Sequence, residues 1–135
     1  MAGRIIEGGC FCGAIRYRAT EEPAARTLCH CGSCRRASGA PTVAWAIFPA
    51  ASFAILGGTP RERRSSGHVT RSFCGDCGTP LVYRSDRRPD VLDVPIATLD
   101  EPDAFAPERE IWTGEKLGWE IVNCALPQFP RSSKG

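Results

Sequence analysis

Seven of the eight cysteines fall into three tight groups, and that grouping constrains the fold more than any other feature of the chain. Cys10 and Cys12 stand in "GGCFCGA", Cys29, Cys31 and Cys34 in "LCHCGSCRRASGAP", and Cys74 and Cys77 in "FCGDCGT". The groups are far apart in sequence, and each lies at a turn beside a strand-like pattern. A fold that uses them together must bring distant turns to one place. No apolar run approaches the roughly 18 residues of a membrane span. The start "MAGRIIEGG" has no signal-peptide apolar core and "RSSKG" matches no lipidation motif, so a cytoplasmic location is expected, with no membrane partner. Thiols stay reduced there, and metal explains the cysteines better than disulfides do.

The "CGDCG" segment has the form of a zinc knuckle, in which two thiolates reach one metal from a tight turn and the glycines let backbone N–H groups point at sulfur. A tetrahedral four-thiolate site needs a second pair. Cys10 and Cys12 are the pair available, and joining the two groups leaves no thiol over. Such a site staples the N-terminal strands to the middle of the chain. Structural zinc can contribute roughly 10–16 kcal/mol of folding energy, comparable to the whole stability of a small domain.

Cys29, Cys31 and Cys34 then stand apart as three ligands. Three protein ligands with an open fourth position is the pattern of catalytic zinc, whereas structural sites are closed. The spacing leaves both readings standing, an open site or a second structural site completed by another residue. His30 is poorly placed as that residue, because neighbours on an extended loop tend to point to opposite sides. His68, just before a strand pattern, is no better. Cys124 follows "WEIVN" on an expected short helix and reads as a buried thiol.

The remaining sequence is expected to form one domain over 1–135, with its core at about 4–130. With 14 glycines and 11 prolines spread through it, the chain suits many short strands and disfavours long helices. Strands are expected at Ala14–Ala19, Thr42–Phe48, Phe53–Leu56, Arg61–Ser65, Val69–Phe73, Leu81–Arg84 and Val91–Ile96, with Pro95 marking an edge position or a strand end. Helical turns are expected only at Cys34–Ser38 and Glu115–Val122. The fold class is therefore mainly β, mostly antiparallel. A net charge of +2, from 17 basic and 15 acidic residues, is too balanced to imply a nucleic-acid partner. The clusters at Arg61–Arg64, Arg35-Arg36 and Arg87-Arg88 read as solvated faces.

Taken in order, these motifs resemble the glutathione-dependent formaldehyde-activating (GFA) family, which includes centromere protein V. The matching elements are "GGCFCGAIRY" from Gly8, "CHCGSCRRASGAP" from Cys29 with Trp45, "SSGHVTRSFCGDCGTPL" from Ser65, then "LDEP", "IW", Trp119 and "LPQFP". One position departs from the pattern, because a histidine is common before the Ile111-Trp112 pair and Glu110 stands there. The resemblance implies a β-tent fold and two zinc ions, a structural one on Cys10, Cys12, Cys74 and Cys77 and a catalytic one on Cys29, Cys31 and Cys34. It also implies a carbon–sulfur lyase that joins formaldehyde to glutathione as S-hydroxymethylglutathione.

Chemistry suits that division. Zinc on three thiolates is a weak Lewis acid, and its better use is to bind an incoming small-molecule thiol and keep it deprotonated. Glutathione carries carboxylates that need cations, and Arg35 and Arg71 match the family's pattern as candidates. Trp45 reads as core or pocket wall. Two other functions fit the motifs, a non-catalytic zinc module that binds a partner and a thiol-based redox or metal sensor. A homodimer is compatible with the sequence and not required by it.

Overall fold

A computed structural model describes residues 4–134, so the first three residues and the last, on which the readings of the two termini partly rest, lie outside the described residues. Ten short strands and one α-helix follow one another as β1 (Ile6–Gly9), β2 (Arg16–Ala19), β3 (Ala25–Cys29), α1 (Gly32–Ser38), β4 (Val43–Pro49), β5 (Phe53–Gly57), β6 (Arg61–Ser66), β7 (Val69–Phe73), β8 (Pro80–Ser85), β9 (Val91–Pro95) and β10 (Arg109–Ile111). They make a three-stranded sheet in the order β1-β2-β5 and a seven-stranded sheet in the order β10-β3-β4-β9-β8-β7-β6. Every pairing between strands is antiparallel except that of β10 with β3. The mainly β class is as the sequence predicts.

The alternation of side chains explains how the sheets pack. In β4, Ala46 and Phe48 face one way and Val43, Trp45 and Ile47 the other. Ala46 and Phe48, with Leu92 and Val94 of β9 and Val82 of β8, are buried against Ile6, Tyr17 and Ala19 of the small sheet. That interface is the main core. The opposite face of β4, with Cys29 of β3, forms a second small cluster made of Cys29, Cys34, Val43 and Trp45. One face of the large sheet thus builds the core, and the other is left to line an open groove.

Three strands were not expected from the sequence. The run "IEGG" of β1 ends in two glycines and looks like a turn, but Gly8 lies opposite Tyr17 and leaves room for its ring. Strand β3 runs directly into the second cysteine group, and β10 has three residues only, ordered by parallel pairing with β3. Expected strand ends are met closely elsewhere. Pro95 closes β9, an interior strand, so of the two expected readings it marks a strand end and not an edge position.

Two expectations fail in the tail. Glu115–Val122 is not helical, and the only helical element near it is a 3-10 turn at Thr113–Glu115. The backbone N–H groups of Trp112, Thr113 and Gly114 are taken instead by the carbonyls of Arg131, Phe129 and Pro130, so the end of the chain folds back along this segment. Cys124 is exposed in a turn, and not a buried thiol, because the tail around it runs over the surface. No helix among the described residues is long and apolar enough to cross a membrane.

Two contrasting substitutions test this packing. A Cβ on Gly8 would collide with the Thr98 carbonyl and with the Tyr17 hydroxyl, which itself bonds the Thr98 hydroxyl at 2.6 Å. Gly8→Ala is therefore expected to cost about 1–3 kcal/mol through displacement of a buried ring. Asp100→Asn removes a bidentate but exposed ion pair with Arg16 and should cost under about 1 kcal/mol. Urea midpoints of the metal-loaded variants decide the order, and equal losses would contradict it.

Candidate functional site

The first and third cysteine groups meet. Cys10 and Cys12 occupy the turn between β1 and β2, and Cys74 and Cys77 the turn between β7 and β8, so each pair comes from a different sheet. Their four sulfurs lie within 4.8 Å of one another, with Cys10 and Cys12 at 3.6 Å and Cys12 and Cys74 at 3.8 Å. A tetrahedron with zinc–sulfur bonds of about 2.3 Å has sulfur–sulfur edges of about 3.8 Å, so these four residues fit such an ion. Gly13 and Gly78 close the two turns with φ of 83° and 82°, which a side chain would strain. The N–H groups of Ile15 and Cys77 point at the sulfurs of Cys10 and Cys74 at 3.3 and 3.5 Å. Hydrogen bonds from the Thr79 hydroxyl and backbone lower the Cys77 thiol to about 5, as suits a thiolate ligand.

Cys29, Cys31 and Cys34 form the second cluster, also with sulfurs within 4.8 Å. Cys29 ends β3, Cys31 caps the N-terminus of α1, and Cys34 lies in its first turn with its N–H on the Cys31 sulfur at 3.3 Å. Contacts from the Cys29 and then the Cys34 thiol lower Cys31 to about 2. Cys29 is pushed far up by the same sharing with Cys31 and Cys34, and by burial. Three sulfurs this close could share one metal ion. Among the described residues no fourth His, Cys, Asp or Glu joins them. Both histidines lie outside the cluster.

His30 has a different partner. It is fully buried, and its Nε2 lies 2.6 Å from Oε1 of Glu110, which is buried as completely. The other Glu110 oxygen accepts from the Asn123 N–H and from Gln128 Nε2 at 3.3 Å. Burial alone would raise the Glu110 carboxyl, yet the bonds from His30, Asn123 and Gln128 hold it below its usual value. One carboxylate therefore ties the loop between Cys29 and Cys31 to the C-terminal tail. Its sequence signal was the departure from the family pattern at position 110, but the pairing itself is a tertiary fact.

Arg35 braces the same loop. Its Nη1 donates to the carbonyls of His30 at 3.2 Å and Glu115 at 2.7 Å, and it does not line the groove. Arg71 and Trp45 do, as do all three cysteines and His68. The groove is open and encloses about 2020 Å³ over the free face of the large sheet. Trp45 is buried at the groove wall with Tyr83 against it, ring centroids 5.8 Å apart. Trp112 packs on the same cluster from a left-handed backbone conformation, φ 56°, secured by its N–H bond to Arg131. The sequence reading missed Tyr83, Arg88 and Asp93, which also line the groove. Asp93 interrupts the apolar strand "VLDVP", a signal that was available. Burial pushes its carboxyl up to about 6 against the pull of Arg88.

The Glu110 node has a measurable consequence. Glu110→Ala leaves buried donors unpaired and is expected to lose at least about 1–3 kcal/mol of stability. In the zinc-loaded protein, metal loss from the three-cysteine cluster should accelerate while the four-cysteine cluster keeps its ion. A chelator time course counting released zinc checks this, and unchanged release would separate the node from the cysteine loop.

Comparison with known proteins bears on the family and the fold. The family model for glutathione-dependent formaldehyde-activating enzyme matches residues 5–115. A protein of Schizosaccharomyces pombe named as an uncharacterised lyase is 27% identical over 133 residues, covering 86% of this chain and 96% of that one. A protein of Halomonas elongata with the provisional name glutathione-dependent formaldehyde-activating enzyme is 25% identical over 113 residues, covering 78% of this chain and 72% of that one. A crystal structure of a Rhodobacter sphaeroides protein superposes with a TM-score of 0.61 at 20% identity, over 90% of this chain and 98% of that chain, and so shares the fold. With a family match over most of its length, the chain belongs to the glutathione-dependent formaldehyde-activating enzyme family.

Proposed function

We propose that this protein is a zinc-dependent carbon–sulfur lyase acting on the adduct of a small thiol, glutathione or a close relative, with formaldehyde or a similar aldehyde. The observation that carries the reading is a three-sulfur cluster with no fourth His, Cys, Asp or Glu ligand among the described residues, facing an open groove. The four-cysteine cluster is the structural zinc site, because it is closed and joins the two sheets. A zinc ion on Cys29, Cys31 and Cys34 supplies, when bound, a free coordination position that favours the deprotonated form of an incoming thiol.

In the synthetic direction the thiol sulfur adds to the carbonyl carbon. The carbonyl oxygen becomes a hydroxyl by taking the proton that the thiol gives up, and the reverse step breaks the carbon–sulfur bond. The chain's own residues orient this chemistry. Val43, Trp45 and Trp112 wall one side of the cluster with apolar surface and limit water there. Arg35 and the His30–Glu110 pair hold the cysteine loop in place, so Arg35 serves the site as a positioning residue. Arg71 supplies a cation from the groove wall for a carboxylate of the thiol. The action is proposed for the chain as it folds here, and the names of its relatives support it.

Zinc content and turnover test the reading together. The purified protein is expected to hold two zinc ions, one released by a mild chelator and one retained. Glutathione and formaldehyde should combine faster with wild type than without protein. Cys31→Ser should lose about 100-fold or more of that acceleration, in the range reported for removal of one main electrostatic contributor, and keep the retained zinc. Wild-type rates no higher than the uncatalysed reaction would sink the lyase reading.

A further inference from the structure

A row of side chains crosses the free face of the large sheet in strict register. Arg63 of β6 lies opposite Arg71 of β7, Arg71 opposite Tyr83 of β8, and Tyr83 opposite Asp93 of β9. Residues directly opposite in adjacent strands point to the same side of a sheet, and all four line the groove. The guanidinium of Arg71 sits 4.9 Å from the Tyr83 ring centroid and that of Arg88 5.9 Å from it. Arg88 Nη2 donates to Asp93 Oδ1 at 3.0 Å, and Asp93 is only 8% exposed.

Charge along this row does not balance. Arg63, Arg71 and Arg88 meet a single carboxylate, that of Asp93, and Arg88 engages it. Arg71 donates from Nε to the Ser65 hydroxyl at 3.2 Å and has no ion-pair partner among the described residues. It is half-buried, so its charge is partly desolvated, and stacking on Tyr83 restricts where it can move. Tyr83 in turn packs on the cluster that holds Cys29 and Cys34, so the ring that carries the guanidiniums adjoins the three-cysteine cluster.

We propose that Arg71 and Arg88, arranged on Tyr83 with Arg88 braced by Asp93, form a carboxylate-binding platform that selects thiols carrying a carboxylate over thiols carrying none. This rests on the thiol-adduct reading of the site. A planar guanidinium fork matches a carboxylate in two parallel bonds, and a fork already held by a ring loses little freedom on binding. Asp93 keeps Arg88 aimed into the groove and leaves the platform with net positive charge. Arg71, Tyr83 and Asp93 stand on three adjacent strands, whose register fixes them, and Arg88 reaches them from the β8–β9 loop, where its bond to Asp93 and the Tyr83 ring hold it.

The experiment compares two thiols on wild type, Arg71→Gln, the double variant Arg88→Gln/Asp93→Asn, and Arg84→Gln. Removing Arg88 and Asp93 together avoids stranding a buried carboxylate, and Arg84 is exposed outside the groove as a control. Apparent KM for glutathione should rise roughly tenfold or more in both platform variants, as loss of a charge-assisted bond predicts. For 2-mercaptoethanol, which has no carboxylate, KM should stay within about twofold. Arg84→Gln should resemble wild type for both thiols. Equal rises for the two thiols, or no rise for glutathione, would overturn the platform. If wild type turns over neither thiol, the lyase reading fails, and calorimetric binding of glutarate to the zinc-loaded protein at low salt decides the platform alone. Weaker glutarate binding by the platform variants than by Arg84→Gln supports it, and equal binding overturns it.

Discussion

The constraint on which the rest of the structure depends is the convergence of four sulfurs from two different sheets. Cys10 and Cys12 belong to the β1–β2 turn and Cys74 and Cys77 to the β7–β8 turn, so the cluster clamps the small sheet to the far half of the large one. Four thiolates at this spacing repel one another without a cation between them. The backbone N–H groups aimed at Cys10 and Cys74 soften that repulsion but do not cancel it. A domain of this size has a modest core, and a metal's binding energy at such a point is of the order of its whole folding free energy.

With the sheets clamped, the large sheet can treat its two faces differently. One face spends its apolar residues on the core with Tyr17 and Ile6. The other carries Cys29, Trp45, Tyr83, Arg71 and Asp93, a mixture no core would tolerate, and it stays open as the groove. The three-cysteine cluster sits at one end of that face because β3 delivers Cys29 there and α1 folds Cys31 and Cys34 back over it. The site is thus a product of strand alternation: every second residue of the same strands serves the core.

Buried polar groups then set the site's finer geometry. His30 and Glu110 are both fully buried, and the His30 Nε2–Glu110 contact pairs one imidazole nitrogen and one carboxylate oxygen, while His30 Nδ1 has no hydrogen-bond partner. Their pairing explains why the tail beyond β10 lies back along the cysteine loop, and why Glu115–Val122 gives up the helix that its sequence suggests. Local preference loses to a fixed carboxylate that takes bonds from Asn123 and Gln128. Arg88 and Asp93 repeat the device in the groove, with a more exposed and therefore weaker pair.

The amino-acid sequence by itself determined the cysteine groups, the mainly β class and seven of the strands, because cysteine spacing, glycine turns and period-two alternation are local properties. It also carried the family, since motifs in register survive without knowledge of contacts. What only the tertiary structure decided was which polar residues meet. Arg35 sits beside Cys34 in the chain yet faces backbone carbonyls, while Arg88, read in sequence as part of a solvated face, and Asp93, given no role there, stand in the groove. Strands β1, β3 and β10 and the exposure of Cys124 were likewise settled by pairing across the fold. The physical reason is the same in each case: a ligand turn announces itself over a few residues, whereas a charge's partner is chosen by sheet register over distances in sequence that no local pattern spans.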